Sequence, residues 1–248
     1  MPPEPFVPLD RSVLLALWAP TPTSGAVAAV EGQDEPHDVV GLDTGDDLTS
    51  LLSAWRSSGG EIVALLPVPG DLGAPAEVAE LAAEAGECVV LRTLVRTWVA
   101  VPEILAFGPD DDLGISVTWS VHDVEQVRPL AGMVGTVAEA EQDLREILRS
   151  TVDELVDLDL ARWRPEAAAA LADLRGGGGP GPLPPGIEPR RVRVISDALR
   201  LREVVALATE DDGAAVTSWQ ADRRTQVLRA LDRAARHAVV AATLGRIG

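Results

Sequence analysis

Residues 114–122 read GISVTWSVH. Ser116, Thr118, Ser120 and His122 fall on one side of this run and Ile115, Val117, Trp119 and Val121 on the other, the period-two alternation of a strand with one apolar face. Upstream, residues 95–107 (VRTWVAVPEILAF) are β-branched and aromatic enough to supply a partner strand, and GPDDDLG at 108–114 supplies the turn between them. The pattern predicts a β-hairpin as the centre of the fold. Its apolar row should face a core and its hydroxyl-bearing row should face outward.

Working toward the N-terminus, strand and helix signals alternate. Ser12–Trp18 (SVLLALW) is a short apolar run of strand length, and Thr23–Glu31 reads as a brief helix capped by Thr23 or Ser24. Val39–Leu42 is a second strand candidate. Leu48, Leu51, Leu52 and Trp55 recur at helical spacing behind possible caps at Thr44 or Asp46, and Ser57–Gly60 ends that helix. Ile62–Leu66 and Cys88–Leu91 are further strand candidates. Between them a helix is predicted from near Pro75 to Gly86, with Val78 and Leu81 inward. This alternation predicts parallel βα units with the antiparallel hairpin added.

Beyond the hairpin the periodicity becomes helical. Thr136 and Glu139 form a capping box, and Val137, Ala140, Leu144, Leu148, Thr151 and Leu155 make one stripe. An alanine-rich helix, Glu166–Arg175, should follow Pro165. Gly176–Gly186 (GGGGPGPLPPG) suits neither helix nor strand and reads as a linker or a mobile loop. A helix opening at Pro189 offers Val192, Ile195, Leu199 and Val205 to a core. Asp211–Asp212–Gly213 turns the chain, and a last helix to about Leu244 carries Val216, Trp219, Leu228, Leu231 and Ala235. The fold class expected is therefore α/β (or α+β). An acidic domain at 1–130 holds a mixed sheet of βα units plus the hairpin, and a helical bundle at 131–248 is interrupted by the linker at 176–186.

Composition narrows the chemistry. A chain of 248 residues, 46% of them hydrophobic, buries roughly 70–75% of its unfolded surface, enough for a substantial core. All 21 basic residues are Arg, and Lys, Asn and Tyr are absent, as expected from a GC-rich bacterial genome. Without Lys there is no Walker lysine, no pyridoxal Schiff base and no Ser–Lys dyad; without Asn a kinase catalytic loop is incomplete. One Cys and three scattered His exclude a zinc finger or ribbon. Cys88 alone makes no internal disulfide and reads as a small core residue. The start, MPPEPFVPLD, lacks the basic and apolar regions of a signal peptide, and no apolar stretch approaches the ~20 residues of a membrane helix. A cytoplasmic protein with no membrane partner is expected.

The net charge of −18 is uneven: residues 1–130 hold 5 Arg against 21 acids, whereas residues 187–248 hold 11 Arg against 8 acids. The acidic half repels a phosphate backbone, which disfavours nucleic acid as a partner. The Arg-bearing helices from Pro189 to Leu244 could be read as a helix-turn-helix, but their turn is acidic. Their basic excess instead suits docking on the acidic half or on another subunit, so a homo-oligomer or a protein partner through the C-terminal helices is expected.

Catalytic candidates reduce to one set. Ser116, Ser120 and His122 share the hairpin's polar row, with Asp123 next in sequence, which would give a Ser/His/Asp hydrolase. Next-but-one residues of a strand lie about 7 Å apart, so Ser120 and His122 meet only by leaning together, and GISVT is not the G-x-S-x-G elbow. The plainer account is an ordinary amphipathic strand. Asp110–Asp112 invite calcium, but the EF-hand positions for glycine and the bidentate acid hold Ile115 and Val121, leaving a charged turn. Gly25, Gly70 and Gly73 follow strand candidates without G-x-G-x-x-G or a P-loop, so no cofactor is expected. Of the six Trp, Trp98 and Trp163 are the candidates for an interface. His37 lies in an acidic loop, and His237 should be at the surface. The leading expectation is a non-catalytic interaction or assembly protein, the alternative a small-molecule hydrolase.

Overall fold

A computed structural model describes residues 8–43, 45–71, 73–109, 113–157, 180–209 and 218–248. It divides into a sheet unit (Leu9–Val134, Pro182–Gly186, Thr243–Gly248) and a helical unit drawn from Gly135–Gly181 and Ile187–Ala242. The fold is mixed α/β, as the sequence pattern predicts.

The sheet unit opens with α1 (Arg11–Trp18) and α2 (Thr23–Glu31), then β1 (Asp38–Val40), α3 (Leu48–Ser58) and β2 (Gly60–Leu65). A short 3₁₀ turn, Ala76–Val78, leads into α4 (Ala79–Ala85), followed by β3 (Cys88–Arg92), β4 (Thr97–Phe107), β5 (Gly114–Val124) and α5 (Leu130–Val134). The strand expected at Ser12–Trp18 is thus a helix. Every residue from Ser12 to Leu17 is buried, so no alternation is available to reveal its type. Its composition points the same way, since Leu and Ala are good helix formers and only Val13 is β-branched, whereas β2 and β3 carry Ile and Val.

Other boundaries shift for local reasons. Pro22, not Thr23 or Ser24, stands before α2. Asp47 caps α3 in place of Asp46, its Oδ1 accepting from Ser50 N at 2.7 Å; Thr44 lies outside the described residues. The 3₁₀ turn before α4 has fewer residues per turn than an α-helix, which rotates the following face. Val78 and Ala82 are therefore buried while Leu81 is exposed.

The sheet runs β1-β5-β4-β3-β2-β6, where β6 is Gly245–Ile247. Only β1 and β5 are parallel; β2 and β3 are antiparallel although α4 lies between them in sequence, so the expected parallel βα units are not formed there. The final strand, unforeseen in the sequence, pairs antiparallel with β2, and Thr243 Oγ1 accepts from Ala64 N at 3.0 Å.

The hairpin forms as predicted, from Thr97↔Val124 to Phe107↔Gly114. Trp119 and Val117 are fully buried and Val121 nearly so. The opposite row, Ser116, Thr118, Ser120 and His122, is half-buried and not open surface. The cause lies in the partner strand: on that face β4 presents Thr97, Val99 and Val101, all buried. Gly41 ends β1 with φ +86°, and a Cβ there would sit 2.3 Å from Val121 O, so only glycine lets the chain leave β5 at this point.

In the helical unit, α6 is Val137–Asp157, α7 Pro189–Thr209 and α8 Ser218–Thr243. The capping box is present: Thr136 N donates to Glu139 Oε2 at 2.9 Å and Glu139 N to Thr136 Oγ1 at 3.2 Å. Ala140, Leu144 and Thr151 are buried along α6, as are Ile195, Leu199 and Val205 on α7 and Leu228, Leu231 and Ala235 on α8. Val192 is half-buried, with Val194 taking the inward place. Trp219, expected on the inner side, is exposed. Leu155's side chain, the helix at Glu166–Arg175, Trp163, the turn at Asp211–Gly213 and Val216 lie outside the described residues, as do Asp110–Asp112 and the first part of the linker, Gly176–Gly179.

Candidate functional site

The alternation that places Ser120 and His122 together also separates them from Asp123, whose side chain belongs to the opposite face of β5. Asp123 is exposed and ion-paired with Arg96 Nη1 at 3.4 Å. Ser116 lies six residues along the strand from His122, too far to reach it. His122 Nε2 is buried without a hydrogen-bond partner, so it receives nothing from Ser120. The four residues of the expected Ser/His/Asp set thus share a strand but are not assembled into a relay.

A different histidine is. His37 is fully buried, and Trp119 Nε1–H donates to its Nδ1 at 3.1 Å. An indole nitrogen only donates, so Nδ1 is an acceptor and the ring proton sits on Nε2, which faces Asp34 Oδ2 at 3.4 Å. Asp34 is in turn held by Arg11, at 2.6 Å from Nε and 2.8 Å from Nη2, and His37 N donates to Glu31 Oε1 at 3.1 Å. Burial is the main cause of a pKa below the usual histidine value; the Asp34 hydrogen bond pulls the other way. With one nitrogen occupied by Trp119 and the other by Asp34, His37 has no lone pair left for a substrate. It ties the strand's central Trp to the loop before β1 and to α1. Its signal was legible in retrospect: Arg11 is the sole basic residue before Arg56 and needs a partner when α1 is buried.

Glu87 is the second buried ionisable group. Its Oε2 accepts from Ser12 N at the start of α1 at 2.6 Å, yet desolvation first and Asp10 second push its pKa up to about 7. Next to it, burial raises the Cys88 thiol to about 12, which makes it inert as a nucleophile, in keeping with a core role. Among the described residues no group of His, Cys, Asp and Glu could hold a metal. Gly25 falls inside α2, and Gly70 serves a tight turn in which Asp71 N donates to Val68 O.

In the helical unit, Leu144 and Leu148 of α6 and Val194 and Leu201 of α7 floor a groove of about 270 Å³. Glu141 bridges the two helices beside it through Arg190, 2.7 Å away, which holds the Glu141 carboxyl below its usual range. His237 is exposed, as expected.

The far end of the hairpin differs from the rest of the sheet. β3 accompanies β4 only from Thr97 to Ala100, so Val101–Phe107 has β5 on one side and no strand on the other. All residues from Glu103 to Phe107 are exposed, including Ile104, Leu105 (56%) and Phe107, with Leu113 exposed (57%) where the chain returns. Phe107 lies over Gly114, filling the space a side chain would need. Large apolar residues on both faces of a projecting ribbon are unusual on a monomer's surface.

Residues 12–132 match the N-terminal domain of Rv1486c-like proteins, and residues 138–240 match their C-terminal domain. The two matches follow in chain order and together take in most of the sequence. The chain belongs to the Rv1486c-like family. No curated protein and no solved structure matches it. The Rv1486c-like N-terminal match takes in the whole hairpin and the Trp119–His37–Asp34 part of the buried network, Arg11 standing just before it, and the C-terminal match takes in the α6–α7 groove. No helix among the described residues is long and apolar enough to cross a membrane.

Proposed function

We propose that this Rv1486c-like chain works by binding, as an interaction or assembly protein. The observation that carries the reading is the end of the hairpin, where Ile104, Leu105, Phe107 and Leu113 are exposed beside an unpaired strand edge. Exposed edges are ordinarily blunted by charge, cover or brevity; this one carries a single charge, Glu103, and is left apolar. The C-terminal helices offer a second surface, with the α6–α7 groove and Trp219, which is 65% exposed.

Hydroxyl-radical footprinting in the cell that expresses the chain natively tests this. Leu105 and Phe107 should be protected there relative to the dilute purified protein; equal reactivity in both settings would defeat the reading. The competing hydrolase reading draws on the unpartnered Nε2 of His122. It requires that His122→Ala abolish a turnover while circular dichroism stays unchanged.

A further inference from the structure

We infer that the free edge of β4 pairs with the same edge of a second copy, about a two-fold axis at Leu105. This inference rests on the assembly reading and names the partner. The geometry begins with which backbone groups point outward. Thr93 N donates to Arg96 O, so Arg96 and every second residue after it direct their N–H and C=O toward the β3 side. Beyond Ala100 no strand lies on that side, and the groups left there belong to Pro102, which is buried, and to the exposed Ile104 and Ala106. The other strand confirms the parity: Ile115 O, on the edge of β5 away from β4, accepts from Glu35 N at 2.9 Å. Among the described residues no backbone bond satisfies Ile104 or Ala106 on the open side.

An unpaired ladder calls for a strand, and this edge is its own complement. With Ile104 opposite Ala106 of the second copy, both residues of each copy exchange all their backbone groups across the axis. Sliding the register to set Ile104 against Ile104 would place Ala106 O opposite Pro102, which has no N–H to give. The side chains fit the same register: bulky Ile104 meets small Ala106, and Leu105 meets Leu105 as a non-hydrogen-bonded pair, the closest kind. Glu103 falls opposite Phe107, not opposite its own copy. The two Glu103 Cα atoms are then about 13 Å apart, beyond a Debye length of about 8 Å at physiological salt. A closed two-fold contact also consumes both edges and leaves none to propagate.

Cysteine trapping reads the register directly, because the native Cys88 is buried and does not compete. A non-hydrogen-bonded pair sets Cα atoms about 4.5 Å apart, within the reach of a disulfide, whereas ~13 Å is not. Under mild oxidation Leu105→Cys should give a covalent dimer. Glu103→Cys and Phe107→Cys should stay monomeric alone yet cross-link when mixed. The wild-type chain should sediment as a dimer that salt strengthens, since the acidic halves repel, and Ile104→Pro should sediment as a monomer. Leu105→Cys remaining monomeric with a wild-type circular dichroism spectrum, or all three variants cross-linking equally, would overturn the pairing. If trapping fails while the cellular footprint at Leu105 is protected, the partner is another chain and only this inference falls; if both fail, the assembly reading falls with it.

Discussion

Replacing Glu87 by Gln should make the sheet unit more stable in neutral and mildly alkaline solution, by an amount set by the carboxyl's burial. Glu87 is 6% exposed, and its pKa is raised from 4.5 to about 7, chiefly by desolvation. In the unfolded chain the group ionises near 4.5; in the folded one it holds its proton to about 7. The folded state therefore binds more protons in between, so stability is fully present below 4.5 and is lost as pH rises through about 7. At about 1.4 kcal/mol for each pH unit, the loss approaches ~3 kcal/mol by pH 8. The amide of Glu87→Gln would still offer an oxygen to Ser12 N and carries no charge to bury. Urea unfolding followed by tryptophan fluorescence reports on this unit, where Trp55 and Trp119 are both buried. The stability difference between variant and wild type should grow by about 3 kcal/mol in favour of the variant from pH 4 to pH 8. A difference that does not change with pH, or one that moves against the variant, would refute the reasoning.

Three further outcomes follow from the surroundings of β5. Trp119→Phe leaves His37 Nδ1 buried without a donor and should cost about 1–3 kcal/mol beyond the lost packing, measured by the same unfolding assay. His37, with its pKa lowered by burial, contributes stability that is present above about 6.5 and is lost as pH falls; in Trp119→Phe the acid loss should be shallower, because a proton on Nδ1 no longer confronts an N–H. Gly41→Ala combines φ +86° with a Cβ 2.3 Å from Val121 O and should destabilise by about 1–3 kcal/mol from backbone strain alone, seen as a lower thermal midpoint.

Much of this architecture was legible in the sequence where a period was present. The hairpin announced itself because β5 alternates, and α6 because Thr136 and Glu139 cap a regular stripe. Where burial is complete the period vanishes, which is why the run Ser12–Trp18 has the look of a strand although its Leu and Ala content favours a helix. The parallel β1–β5 pair and the returning strand β6 depend on contacts between residues far apart in sequence, which no local pattern records. The candidate site divides the same way. The polar row on β5 was visible, but its half-burial depends on Val99 and Val101 of the neighbouring strand. The role of His37 depends on Trp119 and on Arg11 through Asp34, brought together only by the fold. The open edge at Ile104 and Ala106 arises because β3 is shorter than the strand it accompanies.

Residue-resolved amide exchange along β4, over a range of protein concentrations, tests the central claim most directly. Leu105 and Phe107, bonded to β5, should exchange slowly at every concentration, while Ile104 and Ala106 should exchange fast when dilute and slow markedly as the protein is concentrated. Fast exchange at Ile104 and Ala106 whatever the concentration would contradict the pairing, and fast exchange at Leu105 and Phe107 would contradict the hairpin itself.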